Sequence, residues 1–332
     1  MTASPLLSPT DLTRHQHLAA ALLAVLDRTV LGQHDLTRLV LTGLLAGGHV
    51  LLEGLPGLGK TELIKALAAA TGLSHKRIQF TPDLLPSDVT GTLVLSESAT
   101  GRSLSFRPGP LFAQVVLADE INRASPKTQS ALLQAMQERQ VTVFDQTHDL
   151  PRPFFVLATQ NPIELDGTYP LPEAQLDRFA LKATVHGIAT DVLTQVLRER
   201  PDGNPPAPTA VSDTAGLVAL LAAVRSVALP EAVAGYIARL VNATRPELPG
   251  ATDTVRLQVR WGASPRAALA LAGCARASAL LAGRPAVGFA DVKALAVSVI
   301  AHRLVLTHEA GLAGTSAAQV VGELVAALPE LA

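Results

Sequence analysis

The stretch "LLEGLPGLGKTELIKALAAA", Leu51 to Ala70, interrupts an apolar run with Gly54, Pro56, Gly57 and Gly59, then restarts it at Lys60-Thr61. An apolar run that stops in glycines and resumes at helical spacing reads as a buried strand, a tight loop and a helix. In that setting Gly54 to Thr61 fits the spacing G-x-x-x-x-G-K-S/T. Glycines permit positive φ and carry no Cβ, so the loop's N–H groups can converge on a chain of phosphates, and the helix N-terminus adds partial positive charge. On this reading Gly54, Leu55, Pro56, Gly57, Leu58 and Gly59 surround the phosphates, with Glu62 beside them. Lys60 reaches the β- and γ-phosphates, and the Thr61 hydroxyl binds the Mg²⁺ that arrives with the nucleotide. The plainer alternative is a glycine-rich strand-to-helix turn without a ligand. A dinucleotide loop does not fit, because the glycines are not spaced G-x-G-x-x-G and the Lys-Thr ending points to a triphosphate.

A triphosphate site needs a carboxylate at the end of a second buried strand. "VVLADE" offers Asp119, to hold Mg²⁺ through water, and Glu120, to orient and activate the attacking water. Taken alone, an apolar run ending in Asp-Glu is common and could only cap the next segment of chain. Its distance from the glycine loop is what gives it weight.

The rest of the chain supports an α/β sheet followed by a helical region. "HVLLEG", "HKRIQF", "AQVVLADE", "PFFVLATQNP" and "FALKATV" are expected strands alternating with helices, which implies a parallel sheet covered on both faces. One of those helices, Ser125 to Arg139, has Ser125 as its cap and Pro126 at its first position. Two hairpins interrupt the rhythm, "TGTLVLS" with "RSLSFRPG" and "RQVTVFD" with "THDLPRPF". The expected divisions are a helical extension over 1–30, a nucleotide-binding core over 31–198, a Pro-rich linker over 199–213 and a helical lid over 214–332. Within the lid, "VRLQVRWG" (Val255 to Gly262) is expected to be a short extended link, with Trp261 packed rather than stacked on a ligand.

Composition narrows the function classes. A chain of 332 residues suggests about two domains, and 48% hydrophobic with only 3% aromatic residues implies cores of Leu, Val and Ala. Lys+Arg 27 against Asp+Glu 28 leaves no global basic field for nucleic acid. The single cysteine, Cys274, rules out an internal disulfide and a Cys-rich zinc site, and its Ala/Leu setting suits a small core residue. No basic and apolar leader opens the chain, and no apolar run reaches the roughly 18 residues of a membrane span. A cytoplasmic protein is expected.

Three motifs together, "EGLPGLGKT", "LADEINRASPKTQSALLQAMQE" and "ATQNPIELDGTYPLPEAQLDRF", resemble the MoxR family of AAA+ ATPases, relatives of the magnesium-chelatase ATPase subunit. The resemblance runs from about Leu31 to Leu306. It implies a P-loop αβα sandwich with a five-stranded parallel sheet, an all-α lid, ATP and Mg²⁺ as cofactors, and a homo-oligomeric ring, usually a hexamer, with ATP at the subunit boundary. It also implies roles that spacing does not. Asn161 matches the first sensor, bonding the γ-phosphate or the lytic water; an Asn-Pro turn is the alternative. Arg178 matches the arginine finger for the neighbouring subunit, with Arg123 and Arg139 as competitors and a surface bridge to Asp177 as the alternative. Arg266 matches the second sensor, contacting the phosphates of its own subunit; a solvated helix charge is the alternative.

The family further implies that hydrolysis drives remodelling, maturation or metal insertion of a partner protein, often with a von Willebrand factor A domain that this sequence lacks. The competing readings are a nucleic-acid motor such as a helicase or loader, a nucleotide-gated scaffold with little turnover, and a small-molecule kinase. Few aromatics and balanced charge weigh against the first. A kinase would leave the sensor and finger residues without a purpose.

Overall fold

The computed structural model describes residues 7–54, 59–98, 101–161, 168–185, 187–200 and 202–331. Helices α1 (Pro9–Thr29) and α2 (His34–Leu45) lead into β1 (Val50–Glu53), α3 (Lys60–Thr71), β2 (His75–Gln79) and α4 (Pro86–Thr90). A hairpin, β3 (Gly91–Ser98) and β4 (Gly101–Pro108), precedes β5 (Val115–Asp119) and α5 (Pro126–Glu138). A second hairpin, β6 (Gln140–Val143) and β7 (Gln146–Asp149), precedes β8 (Phe155–Gln160), α6 (Glu173–Leu176), β9 (Leu181–Thr184) and α7 (Thr190–Glu199). The helical region holds α8 (Thr214–Ser226), α9 (Glu231–Ala243), α10 (Asp253–Gln258), β10 (Val259–Trp261), α11 (Pro265–Leu281), α12 (Phe289–Ile300), β11 (Val305–Leu306), α13 (His308–Leu312) and α14 (Ala317–Ala327).

The five expected strands form one parallel sheet in the order β2-β5-β8-β1-β9. Apolar residues fill both faces because side chains alternate along each strand. Val50 and Leu52 of β1 join one core, whereas Leu51 joins the other. Val115 and Leu117 of β5 divide from Val116 and Ala118 in the same way. One core lies between the sheet and α5, with Leu132, Leu133 and Met136. The other runs from the sheet through α1, α2 and α3 into the lid, taking in Leu220, Tyr236, Leu271, Leu280, Val299 and Leu324 without a break. Cys274 is fully buried in it, and burial pushes its thiol up to about 12.

The helix expected from Ser125 starts as its sequence implies: Ser125 caps it by accepting a bond from Thr128 N, and Pro126 takes the first turn. Both hairpins form, and Phe106 of β4 stacks on His148 of β7 with ring centroids 4.0 Å apart, so the two insertions lie together. Phe144, at the tip of the second, is 73% exposed. The Pro-rich segment ends pinned to the core, where Val211 N and Ser212 N both donate to Ala70 O at 2.9 Å.

Two expectations for the lid are corrected. Residues 255–258 are helical, not extended, because Thr252 caps α10 on Val255 N and Asp253 stands in its first turn; only Val259–Trp261 forms a strand, paired with β11. Trp261 is 63% exposed rather than packed, on the outer face of that short strand.

Two buried histidines join the layers. His49 Nδ1 accepts from Val156 N at 3.0 Å while Nε2 donates to Met136 O at 3.1 Å, which requires the neutral ring. His302 Nε2 donates to Phe179 O at 3.2 Å. Burial holds His49 down at about 4, and burial with the neighbouring Arg303 charge holds His302 at about 3, against an ordinary 6.5. The unfolded chain therefore takes up protons near pH 6.5 that the folded chain refuses until near 4 and 3. The stability these rings supply is complete above 6.5 and lost as pH falls toward those values. Thermal melts from pH 7 downward are expected to lose about 1.4 kcal/mol per pH unit for each histidine once well below 6.5. His49→Gln should flatten part of that slope; an unchanged slope would remove His49 as a cause.

Candidate nucleotide site

In a parallel sheet every carboxyl end lies along one edge, and loops leaving that edge converge. Strand β1 ends there at Glu53. Gly54 follows with φ 157°, and a Cβ on it would come within 2.7 Å of Val185 O. Gly59 precedes α3 in the left-handed conformation, φ 78°, which only glycine adopts freely. Leu55, Pro56, Gly57 and Leu58 lie outside the described residues. Lys60 opens α3, and its Nζ donates to Gly54 O at 2.8 Å, so the side chain reaches back toward the end of β1. Burial lowers the Lys60 pKa, and the Asp119 and Glu120 charges oppose that shift. Thr61 and Glu62 also line the cavity, with Glu62 held by Lys65 at 2.8 Å.

The facing wall comes from β5, β8 and β2. Asp119 ends β5, and Glu120 follows with φ 57°, a left-handed turn that redirects the chain away from the strand. Thr159 of β8 joins the two: its hydroxyl donates to Asp119 Oδ1 at 2.6 Å and accepts from Glu120 N at 2.9 Å. Arg77 of β2 donates to Asp119 Oδ2 at 2.7 Å through Nη2. Gln79 Nε2 donates to Glu120 Oε2 at 2.8 Å, and Arg123 Nε lies 3.2 Å from the same oxygen. Asn161, one residue past β8, is only 8% exposed and borders the same space. The walls enclose a cavity of about 270 Å³. Lys60, Thr61, Asp119, Glu120 and Asn161 are thus brought together. Arg77, Gln79 and Thr159 were not singled out from the sequence. The available signal was two polar residues flanking the inward Ile78 in "HKRIQF", and it points to this cavity only once β2 is known to lie beside β5.

Arg178 and Arg266 stand elsewhere. Both line a second cavity of about 320 Å³, with Gly48, Asp177, Leu269 and Arg303. Its place is set by register. β9 pairs with β1 from Val50↔Leu181 to Glu53↔Thr184, and Ala180 N donates to His49 O at 2.8 Å. Arg178 therefore precedes the amino end of β9, whereas the glycine loop leaves the carboxyl end of β1. Four strand residues at ~3.3 Å each put roughly 13 Å of sheet between those levels. The expectation that Arg266 contacts the phosphates of its own subunit does not fit this placement, because Ser264, which caps α11, is bonded to Asp177 at the amino end of β9. Nor does Arg178 bridge Asp177 as a simple surface pair. The Asp177 carboxylate takes Arg303 Nε at 2.8 Å and Ser264 Oγ at 2.9 and 3.0 Å, with Arg266 Nη1 at 3.9 Å. Arg178 Nε is buried with no hydrogen-bond partner among the described residues. Of the competing arginines, Arg123 faces Glu120 of its own chain, and Arg139 ends α5 in the left-handed conformation with Nη2 donating to Gly47 O at 3.3 Å.

A divalent cation fits the first cavity. Among the described residues no cluster of three or more His, Cys, Asp or Glu could hold a metal alone. The Thr61 hydroxyl and the Asp119 carboxylate border one space, and such a pair of hard oxygen donors suits Mg²⁺ carried in by phosphates.

Comparison with known proteins agrees with this architecture. Residues 49–181 match the ATPase family associated with various cellular activities (AAA), and residues 252–324 match the AAA lid domain. The chain is 44% identical over 307 residues to the uncharacterized protein YeaC of Bacillus subtilis, covering 91% of this chain and 92% of that protein. It is 44% identical over 284 residues to the chaperone MoxR1 of Mycobacterium tuberculosis, covering 85% and 74%. Identity to the MoxR protein of Paracoccus denitrificans is 36% over 309 residues, covering 86% and 87%. The crystal structure of a candidate ATPase from Cytophaga hutchinsonii superposes with a TM-score of 0.88 at 36% identity, covering 96% of each chain. With Gly54, Gly59, Lys60 and Thr61, the paired carboxylates, the five-stranded parallel sheet and the helical lid in place, the chain belongs to the MoxR family of AAA+ ATPases and is an ATP-hydrolysing enzyme.

Proposed function

We propose that the chain works in the cytoplasm as a Mg²⁺-dependent ring ATPase, of six copies, that remodels or matures a client protein. The observation that carries this is the placement of its cationic groups. Lys60 serves the cavity of its own chain, while Arg178 and Arg266 open on the far side of the sheet, where their own phosphates are out of reach. Two arginines presented together at the opposite end of the domain serve a site completed by a second copy, and head-to-tail contact of that kind forms a ring when the rotation between copies closes.

Within one site, Lys60 and the loop N–H groups bind the phosphates. Thr61, and Asp119 through water, would hold Mg²⁺, which would supply charge neutralisation for phosphoryl transfer. Glu120 orients the attacking water and accepts its proton, with Thr159 fixing the turn from which its side chain projects. Asn161 hydrogen-bonds the γ-phosphate or that water. Arg178 of one copy stabilises the charge that develops on the γ-phosphoryl group held by the next, and Arg266 stands beside it.

The client is a protein carrying, or working beside, a von Willebrand factor A domain, and metal insertion is one form the maturation takes. Support for work on proteins comes from the chaperone name of a 44% identical relative and from the balanced charge of the chain. Glu120→Gln protein held in Mg·ATP is the test. Light scattering should give the mass of a closed ring, and capture from the native host should retain a protein with that domain. A monomer at micromolar concentration in saturating ATP, or turnover raised by DNA but not by any protein, would overturn the reading.

A further inference from the structure

We propose that Arg303, from the lid, is a positioning residue for the two arginines that act across the subunit boundary, and that it makes lid and finger move as one body. The inference rests on the reading of Arg178 and Arg266 as groups that serve a neighbouring copy.

Arg303 follows α12, and its side chain is only 2% exposed. A buried guanidinium is costly unless every donor is satisfied. Here the partners lie largely on one short segment of the sheet domain, the one that carries Arg178. Nε donates to Asp177 Oδ1 at 2.8 Å, and Nη2 donates to Phe179 O at 2.6 Å and Asp177 O at 3.3 Å. Nη1 donates to Ala180 O at 3.3 Å and to Val299 O. The neighbouring His302 donates to Phe179 O as well. The carbonyls of Asp177, Phe179 and Ala180 and the Asp177 carboxylate are therefore gripped by lid groups on either side of Arg178.

Asp177 carries the connection onward. The carboxylate that receives Arg303 on Oδ1 also receives the hydroxyl of Ser264, which caps α11 on Arg266 N at 3.2 Å. One carboxylate thus sets both the backbone under Arg178 and the helix start that presents Arg266. The fork of Arg303 can hold this carboxylate and three neighbouring carbonyls at once, whereas a lysine ammonium has neither the planar geometry nor the donors to do so. A change in lid angle is then transmitted to Arg178 through a rigid polar contact.

Subunit complementation tests this. Lys60→Ala chains have a damaged loop but present an intact arginine pair. Arg303→Lys chains should bind ATP normally in their own cavities but lower turnover by about tenfold, a loss in kcat without one in affinity. Mixed one to one, random neighbours give roughly a quarter of the cavities both an intact loop and a correctly held arginine pair. Turnover should rise above that of either protein alone. An Arg178→Ala mixture run in parallel separates the two readings. If the Arg178→Ala mixture recovers while Arg303→Lys either keeps wild-type turnover or fails to recover, Arg303 has no role across the boundary and this proposal falls alone. If neither mixture recovers, the cross-boundary reading falls and takes this inference with it. Should Arg303→Lys not fold, Ser264→Ala decides the matter, since it leaves the guanidinium–carboxylate pair in place. A roughly threefold loss in kcat, with turnover counted per Ser264→Ala chain rising about twofold on mixing, supports the contact, and wild-type turnover overturns it.

Discussion

An Arg178→Ala protein is expected to bind Mg·ATP as tightly as the wild type and to hydrolyse it about 10³- to 10⁵-fold more slowly. The size reflects when the group acts. Charge builds on the transferring phosphoryl oxygens only as the transition state forms, so a guanidinium delivered there lowers the barrier without adding to ground-state affinity. The position of Arg178 fits delivery to another chain. Its segment lies at the amino end of β9, its Nε is buried without a partner among the described residues, and Asp177 is engaged by Arg303 and Ser264 instead. Single-turnover phosphate release and equilibrium nucleotide binding, measured on the same preparation, check it. A loss of affinity with kcat intact would make Arg178 an ordinary binding residue of its own subunit.

Glu120→Gln should keep ATP affinity and lower turnover by about 10²- to 10⁴-fold, the usual loss on removing a general base, or about 2.7 to 5.4 kcal/mol of barrier. The substitution conserves shape, so the turn fixed by Thr159 persists, since that bond is made by the backbone N–H of residue 120. What goes is the basic carboxylate that would take the proton from water. The contrast with Lys60→Ala is diagnostic. Loss of Lys60 removes a cation that touches the loop itself through Gly54 O, so affinity should fall along with rate. A Glu120→Gln protein with full turnover would leave the cavity without an identified base.

The site was legible in the sequence wherever its chemistry is local. Gly54, Gly59, Lys60 and Thr61 lie within eight residues in a motif whose spacing is readable locally; the positive φ of Gly59 and the helix start at Lys60 are short-ranged, although the room that Gly54 needs is set by Val185 O. Asp119 and Glu120 were readable because a buried strand ending in two acids gains weight once a glycine loop stands upstream of it. Arg77 and Gln79 were not. Their strand looks like any other until β2 is seen to pair with β5, in register Gln79↔Asp119, which sets both side chains against the carboxylates. Arg266 was misplaced for the same reason. Its helix start is clear from Ser264 and Pro265, but a helix start does not say against which end of a sheet it packs.

What the sequence alone determined was the kind of chemistry: a glycine loop, a cation and two acids, with a parallel sheet to align them. Backbone conformation and strand burial depend on neighbours a few residues apart, so these are written locally. Only the tertiary structure decided which cations line which cavity. The continuous apolar core from β1 through α11 to α14 docks the lid against the sheet domain, Arg303 bonds Asp177, and Arg178 and Arg266 line one cavity near the amino end of β9. That arrangement depends on contacts among residues more than a hundred positions apart, such as Asp177 and Arg303, and no local pattern records them.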